Sequence, residues 1–255
     1  MPELPDLQAF SHNLQKRLAG KTVKVINVHT TKLNVSAAEL KKTLENNVLK
    51  EVRREGKELY FEFKSGDILA LHLMLHGQLY LDNGEHQYAI IELLFNDDLK
   101  LTLTDFQKAA TPTLNPKTKD SPDALDKKAD SAFWIKTLQS KRSAVKNILL
   151  DQNVIRGIGN AYADEILWDA RISPFSISNK IPGDKVDALA KSIHAVLQHA
   201  EEQILKSNPD IISGEVRDFM NVHNPRKKES PTGGKIQVKA GTRKTYYTDE
   251  QELFE

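Results

Sequence analysis

The sequence predicts an α+β fold in two parts: an N-terminal helix plus a two-layer β-sandwich, then an α-helical domain that closes on a terminal β-hairpin. Three observations carry this prediction. A helical apolar period opens the chain, and short alternating or apolar runs fill its first half. After about residue 130 the period turns helical, until Gly233-Gly234 marks a return to short strands.

Taken in order, Leu4, Leu7, Phe10, Leu14 and Leu18 share one face of a helix over residues 4–18, with Pro5 in its first turn, where a missing N–H is tolerated. Strand runs follow at 23–28, 59–63, 68–73, 88–95 and 99–104, several of them separated by turns at 64–67, 82–84 and 96–98. Residues 111–130 lose periodicity and gain proline, threonine and charge, the composition of a linker. Helical segments are expected near 131–140, 142–151, 160–169 and 183–206, and a basic hairpin from 235 to 248. The expected domains are 1–110, a linker at 111–130, a helical domain at 131–212 and a hairpin at 213–255.

Composition excludes several classes. The 255 residues contain no cysteine, so disulfides and thiolate metal sites are impossible, and the eight histidines include no pair at ligand spacing. No metal or other cofactor is expected. No stretch approaches the roughly 18 apolar residues of a membrane helix, and the first residues lack the apolar core of a secretory signal. A soluble cytoplasmic monomer is expected. Net charge is only +1, but residues 217–247 hold eight basic residues against two acidic ones, a local +6. Such a stretch is either a solvated face or a contact for a polyanion.

The chain begins Met-Pro-Glu-Leu-Pro-Asp. Once Met1 is removed, Pro2 presents a secondary amine beside the Glu3 carboxylate. An unprotonated N-terminal amine attacks carbonyl carbons to form Schiff bases, and a neighbouring acid can move protons for it. An α-amino group titrates at about 7.7 to 8.0, so a useful fraction is neutral near neutral pH. The plainer reading of the same residues is a common chain start followed by a helix. Further on, Gly157-Ile-Gly-Asn160 joins two helices by a tight turn. Its glycines permit close approach of another backbone, Asn160 suits an N-cap, and Asp164 and Glu165 suit the positive end of the second helix. Read alone this is a capped helical hairpin; with Gln152 and Arg156 upstream it also suits a phosphate held at a helix start.

Taken together, Pro2-Glu3-Leu4-Pro5, Gly56-Lys57, His72-Leu73…Gly77, the run from Leu150 to Leu167 and Gly241-Thr-Arg-Lys-Thr-Tyr-Tyr247 span the whole chain, and with them it resembles the formamidopyrimidine-DNA glycosylase and endonuclease VIII (Fpg/Nei) family. The resemblance implies a bifunctional DNA glycosylase and abasic-site lyase of base-excision repair. Pro2 would be the nucleophile at C1′ of a damaged nucleotide, Glu3 the proton donor and acceptor, and Lys57 a cation beside them. It implies that His72, Asn160 and Arg243, with Lys57, contact phosphates of double-stranded DNA carrying a damaged base or abasic site. Leu75 stands where the family places the wedge that fills the gap left by a flipped base. Met74 could do the same, and both would otherwise be core. The 150–167 run would be a helix-two-turn-helix motif, and the terminal hairpin a zincless finger.

Three departures qualify the implied substrate. The family's second wedge segment reads Asp105-Phe-Gln-Lys-Ala-Ala110, without the arginine and stacking phenylalanine expected there. Little chain lies between Arg217-Asp-Phe219 and Val222-His223, where members specialised for 8-oxoguanine carry a long loop. That implies an endonuclease VIII-like preference for oxidised pyrimidines or ring-opened purines. Ser230, Gly233, Thr248 and Gln251 lie near the positions of the finger cysteines. Two other classes remain open at this stage: a non-catalytic binder of damaged or abasic DNA, and an RNA-binding module.

Overall fold

In the computed structural model, which describes residues 1–255, helix α1 spans Leu4–Leu18. Asp6 closes its first turn by accepting from the Glu3 backbone N–H at 2.8 Å. Strands β1 (Val23–Val28), β2 (Leu49–Glu55), β3 (Glu58–Phe63), β4 (Ile68–His72), β5 (Gln78–Asp82), β6 (Ala89–Phe95), β7 (Lys100–Thr104) and β8 (Thr111–Leu114) form two antiparallel sheets, ordered β1-β6-β7-β5 and β2-β3-β4-β8. Phe61, Phe63, Leu71, Ile91, Phe95 and Leu103 from the two sheets share one core with Phe10 and Leu14 of α1. Helix α2 (Ala37–Leu44) adds Leu40 and Leu44, and its N-cap Ser36 accepts from Glu39 N–H at 3.1 Å.

One expectation about this half changes, and strands β2 and β5 add to those expected. Thr111–Leu114 is a strand, not the start of a linker: β8 pairs with β4 at the sheet edge, where Pro112, opposite Leu71, needs no N–H partner. Strand β2, rich in Lys, Glu and Arg, hides from a hydropathy reading because only Leu49 and Val52 are buried, yet it pairs with β3 along its length.

The first compact unit comprises Met1–Thr118 together with Ile204–Glu215; the second comprises Lys119–Gln203 and Val216–Glu255. The expected boundaries at 110, 130 and 212 therefore shift. Ile211 and Ile212 pack on the sandwich core, Asn13 donates its amide to the Ile211 carbonyl at 2.8 Å, and Ser213 accepts from Leu79 N–H at 2.9 Å. A segment that reads as the tail of a helical domain thus belongs to the β-sandwich unit.

The second unit holds α3 (Ser131–Gln139), α4 (Val145–Leu150), α5 (Asn160–Asp169) and most of α6 (Gly183–Ser207), with β9 (Gln237–Lys239) and β10 (Thr245–Tyr247) as the terminal hairpin. Buried Trp134, Tyr162, Ile166, Leu189 and Ile193 form its interior. No helix is long and apolar enough to cross a membrane.

Candidate active site and nucleic-acid interface

Within the first unit, Pro2 lines a cleft of about 750 Å³ whose wall includes Leu75, His76, Tyr80, Tyr88, Phe106 and Glu215. Glu3, the N-cap of α1, is 4% exposed. With Met1 in place the Pro2 nitrogen is an amide, and the Met1 ammonium donates to Glu215 Oε1 at 2.5 Å. Arg54 ties this helix start to the turn that carries Lys57, donating to Gln8 Oε1 at 2.8 Å and to the Gly56 carbonyl at 3.0 Å. Gly56 takes φ 59°, the left-handed conformation that glycine adopts without strain. The β3–β4 register pairs Glu58 with His72, so Lys57 and His72 come to the same end of one sheet.

His72 Nδ1 accepts from Met74 N–H at 3.0 Å, and the Gly77 N–H closes the following turn on the Leu73 carbonyl at 2.8 Å. A Cβ on Gly77 would lie 2.2 Å from that carbonyl oxygen, so the turn requires glycine. The turn buries Leu73 and turns Met74 and Leu75 outward, with Leu75 59% exposed. The alternative of a buried strand through these residues is thereby excluded.

The 105–110 segment forms a turn around a buried carboxylate. Asp105 is buried, and its carboxylate accepts from the N–H groups of Gln107, Ala109 and Ala110 at 2.9, 2.7 and 2.8 Å. That clasp turns Phe106 outward, 58% exposed, with its ring 4.7 Å from the His76 ring. An aromatic group thus stands beside Leu75 although the expected phenylalanine position holds none. Sequence reasoning missed this, as it missed the Tyr80–His86 stack at 3.9 Å in the same cleft. His86 hydrogen-bonds Asp82 at 2.8 Å, and that contact holds the Asp82 carboxyl below its ordinary range. The signal was available only in part: Gln78-Leu-Tyr-Leu-Asp82 alternates, but nothing local says that Tyr80 meets His86 or that Phe106 meets His76, since His76, His86 and Phe106 lie in connections.

In the second unit, α4 and α5 flank a turn braced by Gln152, which donates to the Leu150 and Ile158 carbonyls at 3.0 and 2.9 Å and accepts from Gly157 N–H at 3.0 Å. The N-cap of α5 is Gly159, and Asn160 is its first helical residue. Asn160 Nδ2 donates to the Lys244 carbonyl at 2.9 Å, and its buried Oδ1 has no partner. Arg156 turns inward, its Nε on the Ser121 carbonyl at 2.7 Å. Arg243 sits exposed in the β9–β10 loop.

Asp164 and Glu165 do not serve the helix dipole as expected; both are buried. Asp164 pairs with Lys146 Nζ at 2.7 Å, hydrogen-bonds His223 Nδ1 at 2.7 Å and accepts from Tyr246 N–H at 2.9 Å. Glu165 accepts from the backbone N–H groups of Asn221, Val222 and His223, each at 2.7 Å, while burial pushes its carboxyl above its usual value. These acids fasten the 220–223 segment and β10 to α5.

The comparisons with known proteins come to the same parts of the chain. Residues 1–111 match the formamidopyrimidine-DNA glycosylase N-terminal domain, and residues 121–208 match the formamidopyrimidine-DNA glycosylase H2TH domain. The formamidopyrimidine-DNA glycosylase of Lactobacillus gasseri is 30% identical over 218 residues, covering 80% of this chain and 78% of the relative. That of Mycoplasma mobile is 28% identical and covers 97% of both. Among solved structures, a complex between the Lactococcus lactis Fpg and DNA containing an abasic site superposes with a TM-score of 0.88 at 25% identity, covering 98% of this chain and 100% of that one.

Proposed function

The chain belongs to the formamidopyrimidine-DNA glycosylase family, and on that premise we propose that it removes damaged bases through its own N-terminal amine and cleaves the resulting abasic strand. The observation that carries the mechanism is Pro2 in the wall of the 750 Å³ cleft, next to a buried carboxylate, Glu3, at the start of α1. After removal of Met1, the Pro2 lone pair attacks C1′ as the glycosidic bond breaks, and the base leaves with a proton. Glu3 supplies and accepts protons at the sugar. Ring opening gives an iminium ion between Pro2 and C1′. The positive nitrogen acidifies C2′–H, and loss of that proton expels the 3′ phosphate.

The rest of the site reads as DNA machinery. Lys57 and His72 at one sheet end, and Asn160 and Arg243 in the second unit, are suited to phosphates. Leu75 and Phe106 are suited to fill and stack in the gap where a base has been turned out, since apolar wedges lower the cost of an unstacked step. The preference we propose is for oxidised pyrimidines or ring-opened purines, supported by the short 219–222 connection. The relatives are named for the formamidopyrimidine substrate, a ring-opened purine.

Borohydride trapping on an abasic duplex tests the mechanism. Trimmed protein is expected to give a covalent adduct, and protein with Met1 retained none. Equal adduct from both would overturn the role of Pro2, and tight binding with no adduct from trimmed protein would make the chain a non-catalytic binder.

A further inference from the structure

The family resemblance implies that zinc-binding members carry finger cysteines near Ser230, Gly233, Thr248 and Gln251, and the residues here do not fit a metal. The chain has no cysteine, and no group of three or more His, Asp or Glu side chains is placed to hold a metal ion. Zinc selects sulfur and nitrogen donors in tetrahedral sites. What the roots of the hairpin share instead is a carboxylate surrounded by donors.

Glu250 accepts from Ser230 Oγ at 2.7 Å, from Thr248 Oγ1 at 3.0 Å, from Trp168 Nε1 at 3.1 Å and from the Thr232 hydroxyl, and pairs with Arg171 at 3.2 Å. Ser230 and Thr232 precede β9, Thr248 follows β10, and Trp168 lies on α5. One side chain therefore gathers both roots of the hairpin and the helix beneath them. The fit is close: a Cβ on Gly234 would lie 2.2 Å from Glu250 Oε2. Gln251 completes the seat, accepting from Thr248 N–H and donating to the Ile172 carbonyl, each at 2.8 Å. Hydrogen bonds from the hydroxyls and the indole hold the Glu250 carboxyl down at about 2.

We propose that the Glu250 carboxylate is the organising centre of the hairpin, gathering hydroxyl donors as a zinc ion gathers thiolates, and is thereby a positioning residue for Arg243. The hairpin is small and two-stranded; Thr245 and Tyr246 of β10 are buried, but β9 buries none of its three residues, so packing alone does not fix the β9 side. Charge-assisted hydrogen bonds are about twice as strong as neutral ones, and several converge here. The loop that carries Arg243 is anchored at its other side by the Asn160 bond to the Lys244 carbonyl. The functional half of this proposal rests on Arg243 contacting DNA.

The test is a pair of variants, Glu250→Ala and Glu250→Gln, read by amide exchange and by binding to a duplex containing an abasic-site analogue. Glu250→Ala is expected to lose exchange protection across residues 237–247 by roughly tenfold or more, the scale of lost charge-assisted hydrogen bonds, while the β-sandwich keeps its own. Glu250→Gln, which keeps shape but not charge, should lose protection by a smaller factor. Affinity should fall about tenfold in Glu250→Ala, and the Arg243→Ala/Glu250→Ala double variant should bind no more weakly than Arg243→Ala alone. A zinc chelator should have no effect on wild type. Wild-type protection in both Glu250 variants would overturn the centre, as would stoichiometric zinc with chelator-sensitive binding. Additive losses in the double variant would overturn the positioning role. Arg243→Ala binding like wild type would overturn the DNA reading and the positioning role with it, whereas amide exchange reports on the centre regardless of DNA.

Discussion

The cleft around Pro2 and the interface around Asn160 differ in what holds them. In the cleft, functional groups hang on backbone devices: a helix start for Glu3, a glycine-dependent turn for Leu75, and a carboxylate clasp of three N–H groups for Phe106. The interface is instead held by side-chain carboxylates, with buried Asp164 and Glu165 and half-buried Glu250 tying distant segments to α5. The difference teaches where each region is fragile. On the proposed function, changes in the cleft should act on chemistry and leave the fold standing, whereas changes beneath the interface should act on structure first and on DNA through it.

The largest effects should come from the cleft. Retaining Met1 removes the nucleophile and should abolish the trapped adduct. Glu3→Gln should slow base excision by about 10²- to 10⁴-fold, the usual contribution of a general acid and base, with the thermal midpoint little changed. An excision rate near wild type would erase the proposed division of labour.

Beneath the interface, Asp164→Ala leaves Lys146 buried without its carboxylate and should cost about 3–5 kcal/mol of stability, measured by denaturant unfolding. A loss under about 1 kcal/mol would mean that the region is not held by its buried charges. Phe106→Ala should weaken binding to an abasic duplex by about 1–3 kcal/mol, the worth of one base–aromatic stack, without moving the unfolding midpoint. A drop in stability instead would make Phe106 a packing residue.

Subtler is the salt dependence. Arg243→Ala should reduce the slope of log K against log salt by about 0.9, because one phosphate-neutralising cation is gone, whereas Asn160→Ala should weaken binding with the slope unchanged. Equal slopes for both variants would mean that Arg243 touches no phosphate. The mildest effect is that of pH. The Glu250 carboxyl lies at about 2 in the folded protein, below its ordinary 4.5, so its contribution is complete above about 4.5 and is lost as pH falls toward 2. Hairpin exchange protection, corrected for intrinsic rates, should be flat near neutrality and fall in that acid window, earlier than protection of the β-sandwich. Loss of protection on going from neutral to alkaline pH would contradict the assignment.

Much of this was written locally. The apolar period of residues 4–18, the strand runs and the 183–207 helix are legible because a repeat of two or 3.6 residues is set within a few neighbours. Pro2, Glu3, Asn160 and Arg243 were likewise visible, since each stands in a short motif of unusual residue types. The edge strand at Thr111–Leu114 was not, because TPTL has no periodicity and its partner lies some forty positions earlier in β4. Nor was the return of Ile204–Glu215 to the first unit, which depends on where Ile211 and Ile212 find apolar surface.

By itself the sequence determined which segments coil or extend and which unusual residue types stand together in short motifs, because both depend on side-chain type and on neighbours along the chain. Tertiary structure alone decided that Asp164 and Glu165 are framework and that Phe106 reaches the cleft. It also decided that Glu250 gathers Ser230, Thr232, Thr248 and Trp168 at the roots of the hairpin. Each of these depends on partners far away in sequence: Asp164 meets Tyr246 across 82 positions, as Trp168 meets Glu250. Whether a carboxylate caps, pairs or organises is set by the donors that folding brings to it.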